Sequence, residues 1–311
     1  MRHNDILHTI GRTPLVELRH SSLKPGLRLF AKLEGYNPSG SVKDRIAREM
    51  ILAAVKEGQL HLGDTIIAAS TGNTGIALAL VGRALGCRVC IVMPENIVPE
   101  IPRTLLAYGA RLELVPADQG MGKAIKVAQR LAEQEGWRLL DQFASPYNVR
   151  THYNETGPEI LEDLPQVDVF VAGLGTGGTL MGVGQRLKEA NPKTQIIAVE
   201  PHPGNQLQGL KSLADGFIPP ILDLDLLDGK ILVRSHHAFR ATAELMRREG
   251  IFAGISSGAV LHAALKLAQR LSRGNVVLLF ADSGWKYLGT NLWTSPPAES
   301  EGEELDEIVW W

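Results

Sequence analysis

Short apolar runs and longer amphipathic runs alternate along this chain. "TIIAAS" (65–70) reads as a strand and is followed by the apolar helix pattern "GNTGIALALVGRALG". "CRVCIVMP" (87–94) is a second strand before the helical "RTLLAYGA", and "RLELVPA" a third before "GKAIKVAQRLAEQEG". Strands followed by helices of this length predict crossover connections, hence a parallel sheet, over roughly residues 36–145. The pattern then restarts with "VDVFVAGLG" (167–175), "GTLMGVGQRLKEA", "TQIIAVEP", "AFRATAELMRREG" and a last strand, "NVVLLFADSG". Two α/β units imply a cleft between them, where ligands of such sheets usually bind.

Composition narrows the class without naming a chemistry. The 311 residues carry 44% hydrophobic and 21% charged side chains and a net charge of -2, so nothing in the overall charge attracts nucleic acid or an anionic membrane. No run approaches the roughly 20 apolar residues of a membrane span. The opening "MRHNDILHTIGRTPLV" has no signal-peptide apolar core, so the expected compartment is the cytoplasm. Cys87 and Cys90 form a lone C-x-x-C at the start of an apolar strand, a pattern that fits buried thiols better than a redox pair, and no second cluster completes a metal site. The tail 295–311 is different. It opens on a double proline, carries six acidic residues and ends in Trp310-Trp311. Its acidic part reads as solvated, but an apolar tip needs somewhere to go. One destination is the cleft, with the terminal carboxylate standing where a substrate carboxylate would bind.

Three glycine-bearing loops and one lysine carry the candidate chemistry. Gly175, Thr176, Gly177, Gly178 and Thr179 join a strand to a helix, so converging N–H groups, a helix N-terminus and two hydroxyls form an anion cradle sized for a phosphate. Gly173, Gly175 and Gly178 also fit G-x-G-x-x-G, with Glu200 downstream as the acidic partner. However, the preceding strand does not open a dinucleotide unit, and no Walker lysine is present. "ASTGNTG" (69–75) joins another strand to a helix and presents hydroxyls and amides suited to a carboxylate, whereas the serines of "GISSGA" (254–259) alone read as ordinary caps. Lys43 in "GYNPSGSVKDR" follows a run of turn-forming residues where a helix begins. A phosphate cradle, a carboxylate loop and a lysine at such a junction fit one group, pyridoxal 5'-phosphate, held by its phosphate and by an imine to Lys43.

The motifs "IGRTPLV", "NPSGSVKDR", "STGNTGIALA", "MPEN", "AYGA", "TGPEI", "GTGGTLMGVG" and "GISSGAVLHAA", in that order, resemble the cysteine synthases (O-acetylserine sulfhydrylases) of the fold type II pyridoxal-phosphate enzymes. The resemblance covers about residues 8–290, and the short segment between Glu200 and "GFIP" is similar to the B-type enzymes. It implies two α/β domains with twisted, mostly parallel sheets flanked by helices, like tryptophan synthase β, with the cofactor in the cleft. The larger, cofactor-binding domain would comprise 1–35 and 146–294, and the smaller, mobile domain 36–145.

The resemblance also implies roles. Lys43 would be the Schiff-base lysine and the base for the α-proton, Asn73 would bond the cofactor's ring oxygen, Gly175 to Thr179 would bind its phosphate, and Ser256 would face its pyridine nitrogen. Ser70, Thr71, Gly72, Asn73 and Thr74, with Gln142, would take the substrate carboxylate. The implied reaction is β-replacement through an aminoacrylate, giving L-cysteine from O-acetyl-L-serine or O-phospho-L-serine and a sulfur donor. That donor would be sulfide, thiosulfate or the thiocarboxylate of a sulfur-carrier protein, and the enzyme would be a homodimer. Lys211 falls in the segment expected to rim the cleft, where a cation selects a phosphate-bearing substrate. The alternatives are another fold type II enzyme, a serine or threonine dehydratase or a cystathionine β-synthase core, or a homologue that binds the cofactor without turnover. Three departures stand out: the family's Thr-Ser order is reversed at Ser70-Thr71, its two arginines after "MPEN" are Ile101-Pro102, and Arg12 replaces its asparagine.

Overall fold

The computed structural model describes residues 2–21, 24–294 and 308–310. In chain order the elements are β1 (Leu15–Glu17), β2 (Leu27–Leu33), α1 (Lys43–Lys56), β3 (Thr65–Ala69), α2 (Asn73–Ala84), β4 (Arg88–Pro94), α3 (Glu100–Ala107), β5 (Arg111–Val115), α4 (Gly120–Glu135) and β6 (Arg138–Leu139). They continue with α5 (Pro146–Thr151), α6 (Gly157–Asp163), β7 (Val169–Gly173), α7 (Gly178–Ala190), β8 (Gln195–Pro201), β9 (Gly229–Val233), α8 (Ser235–Glu249), α9 (Ile255–Arg270), β10 (Gly274–Phe280) and β11 (Ile308–Trp310).

The chain divides into two units. The first comprises Met1–Gly11 and Asn37–Asn148. Its four strands run in the order β5-β4-β3-β6, all parallel. Alternate residues of β3 and β4 face opposite layers: Ile66, Ala68, Val89 and Ile91 pack with α1 and α2, while Ile67, Cys90 and Val92 pack with α4. Sheets covered on both faces need such uninterrupted apolar strands, which is why these were the easiest to read. Residues 1–35 were expected in the larger domain. Residues 1–11 group instead with this unit, where Leu7 and Ile10 are buried in its core and Arg48 binds their carbonyls. Cys87 and Cys90 lie in the two different layers, both buried and free, and burial pushes the Cys90 thiol up to about 11.

The second unit comprises Arg12–Tyr36 and Val149–Trp311. Its seven strands run β1-β2-β10-β7-β8-β9-β11, parallel from β2 to β9, with β1 and β11 antiparallel at the two edges. Because the five central strands are parallel, the loops after β7, β8 and β10 all leave the same end of the sheet. β11 pairs Ile308 with Ile231 and Trp310 with Gly229, so the backbone of the chain's apolar tip completes a sheet edge. The acidic stretch 295–307 and the terminal Trp311, whose carboxylate was expected to reach the cleft, lie outside the described residues.

Candidate active site

In the first unit, the turn before α1 explains how Lys43 is aimed. Gly40 N–H donates to the Asn37 carbonyl at 2.7 Å, and the Asn37 side chain accepts from Gly11 N–H at 2.9 Å. Asp44, the second residue of α1, accepts the Ser39 N–H at 2.7 Å and also the Ser39 hydroxyl. Ser41 Oγ accepts from Lys43 N–H at 3.3 Å. Asn37, Ser39, Ser41, Asp44 and Arg45 are buried, while Lys43 is half-buried. A lysine needs this surrounding polar network only if its direction matters, because a solvated lysine gains nothing from a fixed stem.

The same unit carries the carboxylate loop between β3 and α2. Ser70 is buried, and its oxygen accepts the N–H groups of Gly72 and Gly75 at 3.2 and 3.0 Å. This hydroxyl therefore caps the first turn of α2, and only its proton is left to meet a ligand. Thr71 and Asn73 are half-buried. Thr74 donates its hydroxyl to Gln142 Oε1 at 2.6 Å, and Asn148 holds the Gln142 backbone carbonyl at 2.8 Å. With its oxygen engaged, Gln142 presents its amide as a donor, the correct sense for a carboxylate.

The second unit carries the anion cradle at the end of β7. Gly177 caps α7 in the left-handed region, φ 87°, with no side chain of its own, and Thr176 Oγ1 accepts from the Gly178 N–H at 3.4 Å. A Cβ at Gly175 would lie 2.8 Å from the Gly209 carbonyl oxygen, so only glycine lets the loop run this close. First-turn N–H groups have no partner within their own helix, so a glycine-rich helix start of this kind suits an anion. Thr179 Oγ1 is 3.2 Å from His152 Nε2, and His152 Nδ1 is 2.9 Å from Thr156 Oγ1. His152 and Thr156 were not picked out as site residues from the sequence. The only signal was Thr156 in "TGPEI" four residues after a histidine, and the π-helical turn His152–Thr156 is what brings the pair to Thr179.

Gly209 joins this cradle to Ser256. An added Cβ there would come within 4.0 Å of Ser256 Oγ, while its carbonyl borders Gly175. Ser256 is buried as the second residue of α9, inside the first turn and not at its cap, which is Gly254. Lys211 follows two residues on. Its N–H donates to the Leu174 carbonyl at 2.7 Å, and its ammonium lies 5.8 Å from the Phe217 ring centre. Glu200 is fully buried, paired with Lys230 at 3.2 Å and accepting Leu213 N–H at 2.9 Å. It is committed to the fold and offers nothing to a ribose, which removes the dinucleotide reading. Among the described residues no group of three metal-ligating side chains could hold an ion, and no helix is long and apolar enough to cross a membrane.

Residues 6–282 match the family model described as "Pyridoxal-phosphate dependent enzyme". The chain belongs to this family. Among curated members, it is 42% identical over 94% of its length, and 97% of the relative's, to a cysteine synthase of Staphylococcus aureus. A cysteine synthase of Aquifex aeolicus is 41% identical over 93% of this chain and 92% of its own. Among solved structures, O-ureido-L-serine synthase superposes with a TM-score of 0.90 at 37% identity, covering 97% of this chain and 98% of that one. Cysteine synthase (OASS) from Entamoeba histolytica gives 0.89 at 34%, covering 96% and 93%. The pyridoxal-phosphate enzyme fold thus accounts for both sheets, and the cradle fits the group: a helix start built on glycines, one of them at φ 87°, and flanking threonine hydroxyls match a phosphate monoester.

Proposed function

We propose that this protein is a pyridoxal-phosphate-dependent cysteine synthase, replacing the β-substituent of an activated L-serine with sulfur to give L-cysteine. The observation that carries the reading is 42% identity to a curated cysteine synthase over 94% of the chain. When bound, the cofactor supplies an electron sink for the carbanion formed at the substrate's α-carbon.

The chain's own residues supply the rest. Lys43 Nζ would hold the cofactor's aldehyde carbon and would be the base for the substrate's α-proton. The backbone of Gly175, Thr176, Gly177, Gly178 and Thr179 carries the phosphate, and Asn73 takes the ring oxygen. Ser256 would offer the pyridine nitrogen a neutral hydroxyl, which would keep the sink moderate and favour loss of a β-substituent. Thr71, Thr74 and Gln142, with the Ser70 proton and Gly72 N–H, orient the substrate carboxylate. Acetate or phosphate departs from the β-carbon and the sulfur nucleophile takes its place, so the leaving oxygen carries away the electron pair that sulfur replaces.

In this reading the unit with the cradle is the cofactor-binding domain and the unit with Gln142 the substrate-carboxylate domain. The working protein is a cytoplasmic homodimer, with a sulfur-carrier protein as one candidate donor. Lys211, beside the cradle strand, selects O-phospho-L-serine over O-acetyl-L-serine. The second reading comes from the O-ureido-L-serine synthase neighbour and differs in the group joined to the β-carbon.

The test is product formation by the purified holoprotein with each activated serine, with sulfide as nucleophile. L-cysteine formed at a catalytic rate supports the proposal. Turnover of unactivated serine or threonine to an oxo acid marks a dehydratase, and bound cofactor that responds to no substrate marks a non-catalytic homologue.

A further inference from the structure

The turn that carries Ser256 does not hold itself. Ser257 N–H returns to the Gly254 carbonyl at 3.0 Å, and no side chain caps α9. The segment after β10 braces the turn. Gly254 N–H donates to the Asp282 carbonyl at 3.0 Å, Gly284 N–H donates to the Phe252 carbonyl at 3.1 Å, and Ala253 and Ser283 form an antiparallel bridge between them. Residues 252–254 and 282–284 are therefore a two-stranded splint.

A side chain reinforces the splint at its ligand-facing end. Asp282 is buried, and its Oδ2 accepts the Tyr287 hydroxyl at 2.7 Å. Its other carboxylate oxygen fills the space a Cβ on Gly254 would occupy, 2.0 Å from that point, and the Tyr287 ring edge lies 2.7 Å from it. Gly254 is thus the residue that admits Asp282 to the start of α9. Two residues further on is Ser256.

We propose that Asp282, held by Tyr287, is a positioning residue that fixes the Gly254–Ser256 turn and so sets the Ser256 hydroxyl against the cofactor's pyridine nitrogen; this rests on the role given to Ser256 above. Asp282 itself touches neither cofactor nor substrate in this scheme. It acts through the turn, and its effect must vanish when the Ser256 hydroxyl is gone.

That dependence defines the experiment. Holoproteins of S256A, D282N, the S256A/D282N double variant and Y287F are compared for the cofactor's dissociation constant, its visible absorption maximum and the thermal midpoint. S256A is expected to weaken cofactor binding about tenfold and shift the band, and D282N to do the same in smaller measure. In the S256A background D282N should add nothing to either readout. If D282N leaves binding and band unchanged, or its effect adds in full to that of S256A, Asp282 is a structural residue only and the proposal is overturned while the role of Ser256 stands. If S256A itself moves neither readout, the role of Ser256 falls and the proposal with it. Y287F removes a single hydroxyl, so it supplies the answer should D282N fail to fold: a band shift in the same direction supports the proposal, and an unshifted band overturns it.

Discussion

Asp44 reaches back across the turn before α1 and takes the Ser39 N–H at 2.7 Å, so the residue after Lys43 ties down the loop that precedes it. Both partners are buried. Asp44→Ala leaves that N–H without its acceptor and should cost about 1–3 kcal/mol in urea unfolding. Because Lys43 is aimed by the same turn, the variant should also lose cofactor more readily on dialysis. A stable variant with undiminished retention would separate Lys43 from this network.

Gly175→Ala puts a methyl group 2.8 Å from the Gly209 carbonyl oxygen, closer than packed atoms tolerate. Either the cradle or the 209–211 segment must shift. Cofactor affinity is expected to fall at least about tenfold while the circular dichroism spectrum is kept. A titration showing wild-type affinity would mean that the phosphate is held elsewhere.

The Thr74–Gln142 pair predicts a split in kinetic parameters. Gln142→Leu removes the amide donor without touching Lys43 or the cradle, so cofactor content should be unchanged. KM for the activated serine should rise about tenfold or more, the size of a lost hydrogen bond to a charged group. A fall in kcat with KM constant would show that Gln142 acts on the chemical step instead.

Lys211 is expected to discriminate by charge. Lys211→Ala should lower kcat/KM for O-phospho-L-serine about tenfold relative to O-acetyl-L-serine, with the contrast shrinking as salt is added. An unchanged ratio of the two rates removes Lys211 from the specificity argument.

Buried acids are expected to make stability fall on the alkaline side, Cys90 and Tyr287 among them. Burial, reinforced by Glu113, raises the Cys90 thiol from 9.0 to about 11, and burial beside Asp282 raises the Tyr287 phenol well above its ordinary value. Between pH 9 and about 11 the unfolded chain has released the thiol proton and the folded chain still holds it. The unfolded state then binds fewer protons, so stability falls as pH rises through this window, by an amount on the order of 2 kcal/mol from Cys90. Urea midpoints at pH 8 and pH 10.5 should differ accordingly, and Cys90→Ala should reduce the difference. Equal slopes with and without the thiol would place the alkaline loss in other groups.

How much of this was legible follows from where the charges sit. β3, β4, β7, β8 and β10 read as strands because each contains at least four consecutive apolar residues. β2 did not, because "LRLFAKL" contains Lys32, a charged residue inside a strand. In the fold it is fully buried, bonded to the Thr13 carbonyl at 2.6 Å and to Glu159 at 2.8 Å, 127 positions away in sequence number. β9 was hidden the same way by Lys230, whose partner Glu200 had looked like a ligand residue. The anion cradle, the carboxylate loop and Lys43 were visible because each packs its chemistry into a few consecutive residues. His152, Gly209 and Asp282 were not, since each acquires its meaning from a partner far along the chain.

The position of β10 has a consequence for how the molecule is made. β10 is the last strand of the parallel core to leave the ribosome, yet it sits between β2 and β7, pairing Leu27 with Gly274 and Val169 with Val276. Until it emerges, β2 has no parallel neighbour and β7 lacks one side, while the strands β3 to β6 of the other unit are already complete. Long-range parallel pairing of this kind is slow and leaves strand edges exposed in the interim. The nascent chain therefore passes through a stage in which its four-stranded unit is assembled and the loop Gly175–Thr179 hangs from an unfinished sheet, the stage at which it most needs protection from its neighbours.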